Sequence, residues 1–195
     1  MADDVKSASQ DAKAGAKTTA PKLHGIHHSA YRCRDAEETR RFYEDILGLK
    51  LRTALIAEEE PGSGRALQFQ HLFFEMGDGR FIAFFDEPGG ATPKKFNTKN
   101  PFDFHIAFEA GTMEELLAFQ QHLNANGVTA HGPVDHGFCH SIYFYDPNGL
   151  ALEITTRDAT HESYMRESET HARDDVKTWV ERTRAQKKEA GVIEG

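Results

Sequence analysis

Cysteine is scarce. Only Cys33 and Cys139 occur in 195 residues, too few for a disulfide framework and in keeping with a reducing compartment. Long apolar runs are missing too, and nothing approaches the roughly 20 residues that a membrane-spanning helix needs. There is no surplus of basic charge to grip a polyanion. Lys and Arg number 23 against 31 Asp and Glu, a formal charge of −8 with no basic stripe to reverse it locally, which argues against general nucleic-acid binding. The opening "MADDVKSASQDAKAGAKTTAPK" has no hydrophobic segment and carries acids, unlike a secretory signal or a transit peptide. The expectation is a cytoplasmic protein that binds neither nucleic acid nor membrane.

What the chain has in quantity is histidine, 11 in all, and an order of elements that occurs twice. "GIHHSAYRC" reads as a strand. Asp35 then stands where a helix N-cap belongs, ahead of "AEETRRFYEDILGL", in which Phe42, Ile46 and Leu49 share a face and Gly48 marks the end. "KLRTALIA" is a strand and "EEEPGSGR" a loop, while "ALQFQHLFFEM" and "RFIAFFDE" form an aromatic-rich hairpin around "GDG". After the linker "PGGATPKKFNTKNP" the order returns. It runs through the strand "FDFHIAFEA", the N-cap Thr112, the helix "MEELLAFQQHLNANG", the short strand "VTAHG", and a hairpin of "FCHSIYFY" and "LALEITT" around "DPNG".

"HSAYRCRDAEETRRF" aligns without gaps over "HIAFEAGTMEELLAF", so that His105 follows His28 by 77 positions. The expected fold class is therefore α+β, with two tandem βαβββ modules at about residues 23–88 and 102–157. Together, as residues 23–157, they would form a cupped mixed sheet with the helices outside. Residues 1–22 have almost nothing to bury and read as a flexible tail. Residues 158–195 read as a charged C-terminal helical extension whose apolar stripe, Val176, Trp179 and Val180, docks on its own domain or on a partner subunit.

Alternation along each strand decides which side chains face the cup. In the second module Phe104, Ile106, Phe108 and Ala110 form the greasy face under the helix, which leaves His105, Ala107 and Glu109 on the other. The matching set in the first module is Ile26, His28, Ala30 and Arg32, with His27 on the opposite face. In the last strand Ala151, Glu153 and Thr155 take the cup side. His28, His105 and Glu153 are thus expected on one concave surface. Each histidine alone is as readily a structural residue; the combination is what points to a metal. Two imidazoles and one carboxylate, with further positions open to water and substrate, suit non-haem Fe(II), and manganese, nickel or zinc accept the same donors.

The repeated unit, with "HHSAYRCRDAEETRRFYEDILGL" and "SIYFYDPNGLALEI", resembles the vicinal oxygen chelate superfamily over about residues 24–157. That group includes glyoxalase I, extradiol ring-cleaving dioxygenases, methylmalonyl-CoA epimerase, and the fosfomycin and bleomycin resistance proteins. The resemblance implies two modules closing around a metal cleft, with His28, His105 and Glu153 as ligands. "VDHGFCHSIYFYDPNGLALE" is similar to the extradiol dioxygenase signature, which runs from a histidine (His136) through an aliphatic-Tyr pair (Ile142, Tyr143) and Asp-Pro-x-Gly (Asp146, Pro147, Gly149) to the metal Glu. It implies that His136 and Tyr143 are catalytic groups beside the metal, handling protons as a catechol binds and its ring opens.

The implied activity is Fe(II) extradiol-type cleavage of a catechol or related aromatic diol with O2. The alternatives are a glyoxalase-like lyase or isomerase, a fosfomycin-type thiol transferase, and a binding or resistance protein with no working metal. These folds usually pair, so a homodimer or higher homo-oligomer is expected. Lyases and epimerases of this kind usually take a fourth ligand from the last strand of the first module; here that position falls near Phe84, which cannot ligate, and Asp86 or Glu87 would need a register shift. Two features depart from the dioxygenase pattern: residues 86–104 hold no histidine to serve oxygen activation, and only one two-module domain is present. His71 reads as structural, and His140 alternates away from Tyr143. Phe73, Phe81 and Tyr145 are candidates to clasp a flat ring.

Overall fold

The repeat in the sequence is a repeat of structure in the computed structural model, which describes residues 20–194. The first module runs β1 (His28–Cys33), α1 (Ala36–Arg40, continued by a π-helical segment, Arg41–Ile46), β2 (Lys50–Glu59), β3 (Ala66–Glu75) and β4 (Phe81–Asp86). The second runs β5 (His105–Glu109), α2 (Met113–Ala125), β6 (His131–Asp135), β7 (Cys139–Tyr145) and β8 (Ala151–Arg157). Two further helices follow, α3 (His161–Glu169) and α4 (Ala172–Glu189). The sheets are ordered β1-β4-β3-β2 and β5-β8-β7-β6. In each, the first strand pairs in parallel with the last and the remaining pairs are antiparallel. The parallel pair needs a crossover, and the helix that makes it covers the face opposite the cup. This is the expected two-module α+β architecture, with helices outside the cups. Of the tail expected at residues 1–22, the part up to residue 19 lies outside the described residues.

Local chemistry explains where the elements begin and where they depart from expectation. Asp35 accepts a hydrogen bond from the Glu38 amide at 2.7 Å, and Thr112 accepts one from Glu115 at 3.1 Å; each cap is worth about 1 kcal/mol. The first helix is not α throughout. The Leu47 amide reaches back five residues to the Phe42 carbonyl, and this wider turn presents Phe42 and Tyr43 together to the core. The strand expected at residues 128–132 forms later, as β6, because the Val128 amide is taken by the Leu123 carbonyl and the Ala130 amide by the Asn124 side chain. Those residues finish the exit from α2. Likewise β5 begins only at His105, since the Asp103 and Phe104 amides close a turn on the Asn100 carbonyl.

One hydrophobic core spans both modules, from Cys33, Phe42, Tyr43, Phe74 and Phe84 to Leu116, Leu123, Ile142, Phe144 and Ile154. Tyr43 packs 4.6 Å from Phe84, and Phe42 lies 6.4 Å from Phe144 of the other module. Ser29 and Ile82 of the first module line a cavity of about 700 Å³ together with Ile106, Phe108 and Ile154 of the second. These five lie on the faces opposite the cups, and although Phe81, Ala107 and Glu109 of the cup faces also line the cavity, the strand residues of the shared core all come from the greasy faces. The modules are therefore joined back to back through their greasy sides, and the two cups turn away from each other.

A polar latch reinforces that union. Asp146, in the turn between β7 and β8, is buried. It accepts from the Asn148 and Leu150 amides at 2.9 and 2.7 Å and from the Tyr43 hydroxyl at 3.0 Å. Asn148 accepts from the Arg34 amide at 2.9 Å and donates to Thr39 at 3.2 Å. Beyond the second module, the stacking of Tyr164 on Phe138 at 4.5 Å docks α3. On α4 the stripe of Val176, Trp179 and Val180 stays exposed. Among the described residues no helix is long and apolar enough to cross a membrane.

Candidate functional site

The second module's cup gathers four of the five residues singled out in the sequence. In the parallel ladder between β5 and β8, His105 stands opposite Ala151 and Ala107 opposite Glu153, so His105 and Glu153 project from one face of adjacent strands. Nδ1 of His105 lies 2.7 Å from the Pro101 carbonyl. A carbonyl only accepts, so Nδ1 carries the proton and the neutral ring keeps its lone pair on Nε2. That nitrogen is 3.6 Å from Oε2 of Glu153, a carboxylate only 8% exposed. Metal bonds of about 2.0–2.2 Å put two ligands about 2.8–3.1 Å apart at right angles and about 3.3–3.6 Å apart at tetrahedral angles, so the pair stands at the wide end of the spacing that one ion spans.

Tyr143 is the cross-strand neighbour of Glu153, and its hydroxyl sits 2.8 Å from Nε2 of His136. Burial, and then the carboxylate of Glu153, push the Tyr143 phenol above its ordinary range. At neutral pH it keeps its proton and has an imidazole to exchange it with.

His28 is elsewhere. It lies in the first module's cup, 5.5 Å from the ring of Phe73 and 6.5 Å from that of His71. Among the described residues of a single chain, no three His, Cys, Asp or Glu side chains converge so as to hold an ion. The single concave surface expected from alternation is in fact two surfaces, because the modules join through their opposite faces.

The register also corrects the search for a fourth ligand. Ala30 pairs with Ala83 as Ala107 pairs with Glu153, so the first module's counterpart of Glu153 is Ala83, not Phe84, which is buried on the greasy face. Asp86 is engaged by the Ala36 amide at 2.8 Å and Glu87 by Arg32 at 2.6 Å. His71 stacks on Phe85 at 3.7 Å, and its Nε2 is buried without a partner among the described residues. Burial, with a smaller contribution from His28, lowers its pKa, which agrees with a structural reading. His140 lies 3.7 Å from Asp135, away from the phenol. The Tyr145 hydroxyl donates to the Lys99 carbonyl at 3.2 Å, holding the linker. His27, expected on the opposite face, sits in a bend before β1, and its ring meets that of His28.

Similarity to known proteins follows these features. Residues 25–154 match the model of the Glyoxalase/Bleomycin resistance protein/Dioxygenase superfamily. A stretch of 73 residues is 32% identical to biphenyl-2,3-diol 1,2-dioxygenase 3 of Rhodococcus globerulus, covering 37% of this chain and 38% of that protein's length. Over 140 residues the chain is 29% identical to glyoxylase I 4 of Arabidopsis thaliana, covering 70% of this chain and 73% of that one. A solved glyoxalase/dioxygenase from Nostoc punctiforme, 28% identical, superposes with a TM-score of 0.55 over 73% of this chain and 98% of its own. With its repeated βαβββ units and a family match that covers both of them, the chain belongs to the glyoxalase/bleomycin resistance protein/dioxygenase superfamily.

Proposed function

We propose that this chain is an Fe(II)-dependent dioxygenase of the extradiol type, opening a catechol or related aromatic diol with O2, and that two copies share each metal centre. His105 and Glu153 of one copy would hold the ion with His28 of the other. The observation that carries the reading is the Tyr143–His136 contact of 2.8 Å beside Glu153. It places a protonated phenol and an imidazole at the edge of a carboxylate–imidazole pair.

The donor set fits a divalent ion, but one chain offers only two of the three ligands in one place. A second copy supplies the third by seating its β1 beside β5 of the first, so that an aromatic cup faces a ligand-bearing one. Both strands are sheet edges. The residues leading into them expose large apolar side chains, with Ile26 70% and Phe102 99% accessible, a surface that burial would favour covering. When bound, the ion supplies positive charge and open positions for two neighbouring oxygens.

The chain's own residues do the rest. His136 accepts a proton from the diol, Tyr143 returns one to the opened ring, and Phe73 and Phe81 flank the ring plane. Ala83, which leaves no fourth protein ligand, weighs against the lyase and epimerase alternatives.

A mixing experiment tests the reading. His28→Ala and His105→Ala proteins, each inactive alone, are denatured together and refolded. If the centre is shared, random pairing restores about a quarter of the sites, read as bound iron and as oxygen uptake with a panel of catechols. No restoration would defeat the shared centre. Iron bound without oxygen uptake on any catechol would defeat the dioxygenase assignment.

A further inference from the structure

The two imidazoles assigned to the metal are fixed by different partners. In the second module a carbonyl settles the tautomer of His105, because it can only accept. In the first module the partner of the same ring nitrogen is a side chain. Nδ1 of His28 lies 2.9 Å from Nδ1 of His27, the rings meeting edge to face with centroids 5.2 Å apart. One of these nitrogens must carry the proton and the other the lone pair.

We propose that His27 is a positioning residue. It accepts from Nδ1–H of His28 and so leaves Nε2 of His28 as the bare nitrogen offered to the metal. This rests on the shared-centre reading above and adds a residue to it.

The surroundings explain why His27 is suited to the role. Adjacent residues in a regular strand point to opposite faces, and their rings do not meet. β1 starts only at His28, and His27 occupies the bend before it. The His27 backbone is already tied to the sheet, its carbonyl accepting from the Phe81 amide at 3.1 Å. Its ring also rests 5.8 Å from that of Phe81. A side chain anchored at both ends presents its Nδ1 at one place, as the Pro101 carbonyl does in the other module. A free histidine side chain prefers its proton on Nε2, the atom that must be bare to ligate. An acceptor held at Nδ1 reverses that preference before any metal arrives.

The test uses the full chain, metal-free and labelled with 15N-histidine, at a pH where imidazoles are neutral. Long-range 1H–15N correlation reports which nitrogen of His28 is protonated. The expected result is Nδ1–H in the wild type, a shift to Nε2–H in His27→Leu, and restoration in His27→Asn, whose side-chain oxygen can accept in the same place. Titration with Mn(II) alone should show affinity weakened about 10–100-fold in His27→Leu and largely recovered in His27→Asn. Nε2–H in the wild type, or a His27→Leu protein with unchanged tautomer and affinity, would overturn the proposal. If the tautomer behaves as expected while His28→Ala binds Mn(II) as the wild type does, the metal assignment of His28 fails and the hydrogen bond stands.

Discussion

The two modules share a backbone plan and differ at the two positions on which the proposed chemistry rests. Phe73 faces Ala83 across β3 and β4 of the first, and Tyr143 faces Glu153 across β7 and β8 of the second. The first module thus has a ring without a hydroxyl where the second has a phenol, and a methyl group where the second has a carboxylate. Both keep a histidine at the start of the leading strand. Each module keeps one leading histidine, while the carboxylate and the phenol stand in one cup and an aromatic wall in the other. Under the proposed shared centre each cup is half of a site, in keeping with the outward turn of both.

That asymmetry can be broken position by position. The largest effect is expected from Glu153→Ala, which should reduce bound metal to trace by elemental analysis, whereas Ala83→Ser should leave metal content unchanged; equal loss in both would erase the distinction. Next comes Tyr143→Phe, which makes the second module resemble the first. Turnover should fall about 10²-fold with metal content intact, and Phe73→Tyr should not compensate when the two are combined. A Tyr143→Phe protein with wild-type turnover would return that residue to a packing role.

The latch between modules should show in stability. Asp146→Ala strands buried donors and should cost about 2–3 kcal/mol in urea unfolding, against about 1 kcal/mol for Tyr43→Phe. Burial raises the Asp146 carboxyl above its ordinary range in spite of its hydrogen bonds, so the folded chain holds that proton more tightly than the unfolded one. Its contribution is therefore greatest below the ordinary Asp value of about 3.9 and is lost as pH rises through the raised value. Relative to Asp146→Asn, the wild type should lose stability across that interval, and a constant difference would refute the shift.

The smallest effect concerns the two thiols. Burial pushes Cys33 up to about 12, so native protein at pH 8 should titrate one rapid thiol, at the half-buried Cys139, and denatured protein two.

Much of the fold was legible because it rests on local rules. The gapless match between the modules predicted equivalent strands, and Asp35 and Thr112 announced their helices. Parity put His105 and Glu153 on one face, and the resemblance to the dioxygenase signature added Tyr143. What escaped was everything set by how the modules meet. Alternation says which face a side chain takes within its sheet, but not whether two sheets are joined by their fronts or their backs, and His28 is displaced for that reason. Asp146, Asn148 and Tyr43 form a latch only because the "DPNG" turn lands against the first helix, a contact between residues about 103 positions apart. The fourth-ligand position was misplaced by one residue, and in a strand one residue is the whole difference between inside and outside.

Gly149 has a consequence for how the connecting segment can vary. At φ +76° it favours glycine, and a Cβ there would stand 2.5 Å from the Asn97 carbonyl and 2.6 Å from that of Phe96. The chain between the modules is therefore pressed onto this turn, with the Lys99 amide bonded to the Gly149 carbonyl at 2.8 Å. Extra residues inserted near positions 91–92 would only enlarge a surface loop, whereas the same insertion at 96–99 would lift the strap off its seat. A relative carrying a bulkier residue at the turn should show a rerouted connection.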